Sequence, residues 1–129
     1  MMEKTVQLSV SMENSPGQLG RLCRVLTQAG VNIKGLTVSD ASDVSIIRLI
    51  VSNPKAAQKA LREAGLPFVP QEVLIMELED KPGALEEVAF RLAEAGINVQ
   101  YIYGSTASAG TARLILRVSE VDRAKQVLA

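Results

Sequence analysis

The sequence predicts an α+β fold in which a strand–helix–strand–strand–helix unit occurs twice, each copy forming two layers with helices on one face of an antiparallel sheet. Two observations carry this. One is a self-match at a fixed offset of 66 positions: Asn14-Ser15-Pro16-Gly17-Gln18-Leu19 against Asp80-Lys81-Pro82-Gly83-Ala84-Leu85, and Ala29-Gly30-Val31-Asn32-Ile33 against Ala95-Gly96-Ile97-Asn98-Val99. The other is a switch of hydrophobic period from two to 3.6 and back within each copy. Arg48-Leu49-Ile50 matches Arg113-Leu114-Ile115 one position out of step, and Ala57 and Leu61 match Ala124 and Leu128 one position out the other way. Two copies are too few for a solenoid, so the chain reads as a duplicated domain, 1–70 and 71–129.

The elements of the first copy follow in order. Val6, Leu8, Val10 and Met12 alternate with polar residues, the period of a strand with one buried face. Asn14-Ser15-Pro16-Gly17 is a turn, and Ser15 before Pro16 predicts a side-chain cap with proline in the helix's first turn. Leu19, Leu22, Cys23 and Leu26 continue at helical spacing, and Gly30 closes the helix. The apolar spacing then slips from two to three between Ile33 and Leu36, which predicts a bulge in the next strand. Ser39 to Asp43 is a turn cluster and Val44 to Val51 a strand. Pro54 opens a second helix with Ala57, Ala60 and Leu61 on one face, closed by Gly65, and Phe68-Val69 starts a short fourth strand.

The second copy repeats the order. Val73 to Leu78 is a strand, and Leu85, Val88, Ala89 and Leu92 are the stripe of a helix ended by Gly96. Ile97, Val99, Ile102 and Gly104 carry the same slip, Ser108-Ala109-Gly110 turns, Ala112 to Val118 is a strand, and Val121 to Ala129 a helix. This copy has no last strand of its own within the sequence, so a neighbour must cover that sheet edge or it stays bare, and a bare edge favours association. Each copy spans about 60 residues, a size at which core burial is marginal.

Composition narrows the function. The chain has 129 residues, 47% hydrophobic and 22% charged, as in globular proteins. Fourteen basic residues balance fourteen acidic ones, without the excess that meets phosphates, so nucleic acid is not an expected partner. No apolar run reaches the ~18 residues of a membrane span and no signal pattern opens the chain, which gives a cytoplasmic, membrane-free expectation. There is no histidine, which excludes Ser–His and Cys–His nucleophile pairs and most zinc sites. The one cysteine, Cys23, reads as a small buried hydrophobe. No catalytic residue, metal or cofactor is expected.

The two Asx-x-Pro-Gly turns, each followed by a helix and then Gly-Val-Asn or Gly-Ile-Asn, resemble the signature of the ACT domain. The resemblance covers nearly the whole chain and implies two ferredoxin-like βαββαβ modules with no enzyme attached. In that family the unit is a regulatory domain for amino acids or other small ligands. Modules pair side by side, with ligand at the interface near the first strand-to-helix loop. Carried over by position, this implicates Asn14, Gly17, Gln18, Leu19 and Asn32 in the first copy, and Asp80, Gly83, Ala84, Leu85 and Asn98 in the second. The resemblance implies a free amino acid as ligand, a homodimer, and a metabolic enzyme as a further partner. The alternative is an interaction module that docks on a separate enzyme without a small ligand.

The residue chemistry suits an α-amino acid. Helix N-termini offer free N–H groups to a carboxylate. Asp80 or the carbonyl oxygen of Asn14 can accept from an ammonium, and the Asn32 or Asn98 amide both donates and accepts. The first loop has Asn14 where the second has the acidic Asp80. Tyr101 and Tyr103 fall off the apolar register, so they are expected to face away from the helices, at a ligand or partner surface or as plain strand residues. Their counterparts in the first copy are Gly35 and Thr37. Competing uses of the fold lack their residues. An RNA-recognition module needs strand aromatics and a basic field, a heavy-metal module needs paired loop cysteines, and an acylphosphatase-like enzyme needs an arginine in the loop.

Overall fold

The structure is a computed structural model that describes residues 2–108 and 110–129. Along them run β1 (Met2–Glu13), α1 (Gln18–Gln28), β2 (Ile33–Ala41), β3 (Val44–Val51), α2 (Pro54–Glu63), β4 (Phe68–Glu79), α3 (Ala84–Glu94), β5 (Val99–Ser108), β6 (Thr111–Val118) and α4 (Val121–Leu128). The order is the one expected, an α+β chain built from two βαββ–α repeats. The expected turn at Ser108-Ala109-Gly110 includes Ala109, which lies outside the described residues. The chain divides into two compact units: residues 6–71, the N-terminal unit, and residues 72–129 together with 2–5, the C-terminal unit.

In the N-terminal unit the strand order is β2-β3-β1-β4. Antiparallel pairing sets Leu8 opposite Leu49 and Val10 opposite Ile47. The alternation of β1 therefore puts Leu8, Val10 and Met12 on one face, where they join Leu22 and Leu26 of α1 and Ala57 and Leu61 of α2. Burying each leucine contributes about 1.5–3 kcal/mol. Asn53 caps α2 through its side chain, accepting from the Ala56 amide at 3.1 Å with Pro54 just inside, so that helix starts as its sequence predicts. The bulge expected in β2 lies between Ile33 and Gly35. The chain turns between β2 and β3 at Ser42 and Asp43 alone, with Ser42 at φ 67°.

The C-terminal unit repeats the plan, with β4-β6-β5 in sequence across its sheet and the matching bulge between Val99 and Tyr101. Leu74, Met76, Val88, Leu92, Leu116, Val118 and Ala124 form its core. Among the described residues no strand follows α4, as expected, and the edge is covered: residues 2–5 of β1, the strand beside β4, group with this unit. Met2 packs against its core. Lys4 Nζ lies 2.9 Å from Asp122 and 3.2 Å from Glu72. The neighbour that covers this edge is thus the chain's own first strand.

Four local expectations are corrected. Pro16 is not in the first turn of α1, and Ser15 does not cap it; the N-cap is Gly17, in the left-handed region at φ 90° with no side-chain cap. The turn closes first, through Gln18 N–H to the Ser15 carbonyl, and the helix starts only after it. The helix stripes are narrower than their spacing: Leu19 is 45% and Leu85 47% exposed, Cys23 is half-buried and Ala89 exposed, leaving Leu22, Leu26, Val88 and Leu92 against the sheets. Gln7, on the polar register of β1, is fully buried, its amide nitrogen 3.2 Å from Ser9 Oγ and 3.4 Å from Gln71 Oε1. Phe68-Val69 do not start a short strand but open the twelve-residue β4, whose later residues belong to the second unit.

Candidate functional site

The two turns that carry the repeated motif fold hydrogen bond by hydrogen bond in the same way. In the first, Ser15 N–H donates to Glu13 O, Gln18 N–H to Ser15 O and Arg21 N–H to Gly17 O. In the second, Lys81 N–H donates to Glu79 O, Ala84 N–H to Lys81 O and Glu87 N–H to Gly83 O. Gly17 (φ 90°) and Gly83 (φ 91°) hold the left-handed junction into the helix. A Cβ at either would meet nothing within 4 Å, so glycine is there for its backbone freedom, and the space above the helix start is open. Each turn is also pinned to a hairpin. Asn14 N–H donates to Asp43 O at 2.8 Å, and Asp80 N–H to Gly110 O at 3.0 Å.

The first loop has a polar partner that its sequence did not reveal. Asn14 Nδ2 donates to Asp40 Oδ1 and to the Ser42 carbonyl, both at 2.9 Å, and Asp40 Oδ1 also accepts from Ser42 N–H at 3.0 Å. The end of β2 thus delivers a carboxylate beside Asn14, where the second loop carries its own in Asp80. Asn14, Gln18 and Leu19 line a small cavity of about 140 Å³ with Met12, Val38 and Ile47. Val38 enters because β2 pairs it with the core residue Ile47, yet at the sheet's edge it stays 50% exposed; Leu36, opposite Leu49, is 43% exposed.

The two helix starts differ electrostatically. The first turn of α1 has no acidic residue, whereas that of α3 carries Glu86 and Glu87. The positive helix end is therefore uncompensated in the first copy and already partnered in the second. Beside the second loop, Lys81 bonds Glu79 at 2.9 Å; that hydrogen bond, then the charge behind it, lowers the Glu79 pKa and raises that of Lys81. Ala84 lines a larger cleft, of about 480 Å³, with Leu78, Lys81, Glu87 and Arg91. Among the described residues no group of three or more histidine, cysteine, aspartate or glutamate side chains is placed to hold a metal. No described helix is long and apolar enough to cross a membrane.

The other predicted residues stand elsewhere. Asn32 is at the far end of β2 from Asn14: its N–H donates to Ser52 Oγ at 2.9 Å while its carbonyl accepts from Ser52 N–H. From Asn32 to Asp40 is roughly 26 Å at ~3.3 Å per strand residue. Asn98 repeats this with Ser119, at 3.1 Å and 3.0 Å, at the start of β5. Within one copy, then, the loop and the asparagine do not meet. Both asparagine residues are exposed, directly before the strands β2 and β5 at the sheet edges. Tyr101 and Tyr103 pair with Arg117 and Ile115, while the alternate residues Ile102 and Gly104 pair with Leu116 and Leu114 of the core side. Both tyrosines thus face away from the helices, as expected, and are half-buried there.

Protein BT0572 from Bacteroides thetaiotaomicron has a similar structure, with a TM-score of 0.92 and 31% identity over 98% of this chain and 88% of that one. The ligand-free regulatory subunit of aspartate kinase from Thermus thermophilus shares the fold at 12% identity, TM-score 0.69, over 98% and 93%. E. coli aspartokinase III, solved in complex with lysine and aspartate, shares it at 15% identity, TM-score 0.59, over 98% of this chain and 30% of that one. No curated protein sequence matches. The family described as the ACT domain pair matches residues 3–129, and the chain belongs to it.

Proposed function

We propose that the protein senses a free amino acid and regulates amino-acid metabolism through a separate enzyme, binding its ligand where modules of two copies meet. The coarser part, a regulatory role in response to a small molecule, is what membership of the family carries. Its likeness to a regulatory subunit of aspartate kinase is in keeping with it.

The carrying observation is the placement of the polar residues along the edges. Asn14 with Asp40, and Asp80 in the second copy, stand at one end of an edge strand, and Asn32 or Asn98 at the other. Antiparallel pairing of such an edge with that of a second copy brings the loop of one to the asparagine of the other. The exposed Leu19, Leu36 and Val38 line the edge that this pairing would cover. The uncompensated start of α1 suits the ligand carboxylate, a contact worth about 0.3–1 kcal/mol or more when partly buried. Asp40 and the Asn14 carbonyl oxygen suit the ammonium.

A thermal-shift screen against the common amino acids, run with sedimentation analysis, tests this. A ligand at 100 times its Kd adds about 2.7 kcal/mol to the folded state, several degrees for a chain of this size. A selective shift that falls with Asp40→Ala or Asn32→Ala and favours the dimer is the expected result, since regulation needs a ligand that binds one assembly state better. Dimerisation through the same edge with no amino acid bound would instead establish the interaction module.

A further inference from the structure

Zero net charge hides a polarity within the chain. Residues 6–71, the N-terminal unit, carry seven basic residues against four acidic, a net charge of +3. Residues 2–5 and 72–129, the C-terminal unit, carry seven basic against ten acidic, a net charge of −3. The first helix of each copy shows the contrast most plainly. α1 has Arg21 and Arg24 and no acidic residue, whereas α3 has Glu86, Glu87 and Glu94 against Arg91 alone.

The outward faces of these two helices also differ in shape. Leu22 and Leu26 turn to the strands of their unit, as Val88 and Leu92 do in theirs. At about 100° per residue, Gly20 and Arg24 therefore point outward from α1, and Glu86 and Phe90 from α3; all four are exposed. Phe90 is 64% exposed, more than any other large apolar side chain described. It stands at the repeat position of Arg24, and Glu86 at that of Gly20. Glu86 and Glu94 lie one helical turn to either side of the ring, so α3 presents an apolar knob between carboxylates. α1 presents the reverse. Gly20 lies inside the helix, outside the left-handed region, and a Cβ on it would meet nothing within 4 Å, so nothing in its own chain requires a glycine there. Glycine weakens a helix relative to alanine. What it supplies in return is a bare stretch of helix on which a ring can lie, with Arg24 one turn further on.

We propose that α1 of one copy docks on α3 of a second copy, with Phe90 lying on Gly20 and Arg24 meeting Glu86. Helix dipoles favour the antiparallel arrangement. Setting residue 90 opposite residue 20 then sets 86 opposite 24, so one register makes both contacts. The partner is a second copy because each face finds its complement on the same chain. Pairing α1 with α1 would oppose arginines, and α3 with α3 would oppose glutamates, and like charges set against each other disfavour both. The contact is heterologous: each copy offers both halves, so pairing either closes as a twofold dimer or continues into a longer assembly. This outward surface is separate from the loop-and-edge site proposed above and takes no small ligand.

Sedimentation equilibrium of the full chain at several salt concentrations tests this. The parent is expected to self-associate, and more weakly as salt rises, because the charges are exposed. Phe90→Ser should weaken association about tenfold or more, as the loss of an aromatic anchor does. Arg24→Glu and Glu86→Arg should each weaken it by a similar factor. The double variant, in which the two charges are exchanged, should recover most of that loss, which a mere folding defect would not allow. A parent that stays monomeric at every concentration overturns the proposal, as does a double variant that associates no better than either single one. Association unchanged in all of these variants but lost in Val38→Lys would overturn it while leaving pairing through the edge intact. Association lost in Phe90→Ser and kept in Val38→Lys would support it and count against that pairing.

Discussion

Gly104→Ala separates two uses of glycine in this chain and yields a magnitude from geometry. Gly104 lies in β5 opposite Leu114. A Cβ there would overlap the Arg113 carbonyl oxygen and come within 2.9 Å of Leu114 Cα, both backbone atoms of β6. Neither can rotate away, so the strands must part. Overpacking of this kind costs about 1–3 kcal/mol. Each ladder hydrogen bond lost as β5 lifts adds about 1 kcal/mol. A total near 3 kcal/mol is expected, a fall in Tm of roughly 10 °C for a chain of this length. Gly17→Ala is the control. Its Cβ meets nothing, so only the left-handed backbone at φ 90° is penalised, at about 1–2 kcal/mol. Urea unfolding of both variants, compared at equal m, reads the difference. If Gly104→Ala were no more destabilising than Gly17→Ala, the close β5–β6 approach would be refuted. The same register position in the first copy is Val38, so a side chain is not excluded by the topology, only by the local approach at Gly104.

Two further outcomes follow from the loops. Asn14→Ala removes two hydrogen bonds, to Asp40 at the end of β2 and to Ser42 in the turn after it, and should cost about 1–2 kcal/mol. In a double-mutant cycle with Asp40→Ala the costs should fall short of additive, and full additivity would mean that the two side chains do not interact. Glu79 has its pKa lowered in the folded state, so its contribution to stability is present above its unfolded pKa and lost as pH falls through the folded one. Lys81, raised, loses its share as pH rises through its own folded value. In an NMR titration Lys81→Ala should return the Glu79 midpoint toward the ordinary carboxylate range, and an unmoved midpoint would show that Lys81 is not the cause.

Much of this molecule is local, and so was legible in its residues. Period-two and period-3.6 spacing act over a few residues, which is why β1, α1 and both edge-strand bulges follow from Val6–Met12, Leu22–Leu26 and the slips at Ile33 and Val99. The duplication is legible because one motif repeats at one offset. Periodicity overstated the helix stripes at Leu19 and Leu85, because a helix's first turn projects beyond the sheet that its later turns cover. The family resemblance placed Asn14 and Asn32 in one set, and within one copy a helix that runs back along its strand leaves them at opposite ends of β2.

Pairing across the chain belongs to the tertiary structure alone. No local pattern says that residues 2–5 complete the unit formed by residues 72–129, since a strand's alternation fixes which face is buried but not which neighbour it meets. The burial of Gln7 depends on Gln71 arriving beside it, and the carboxylate near Asn14 on the return of β2 to the first loop.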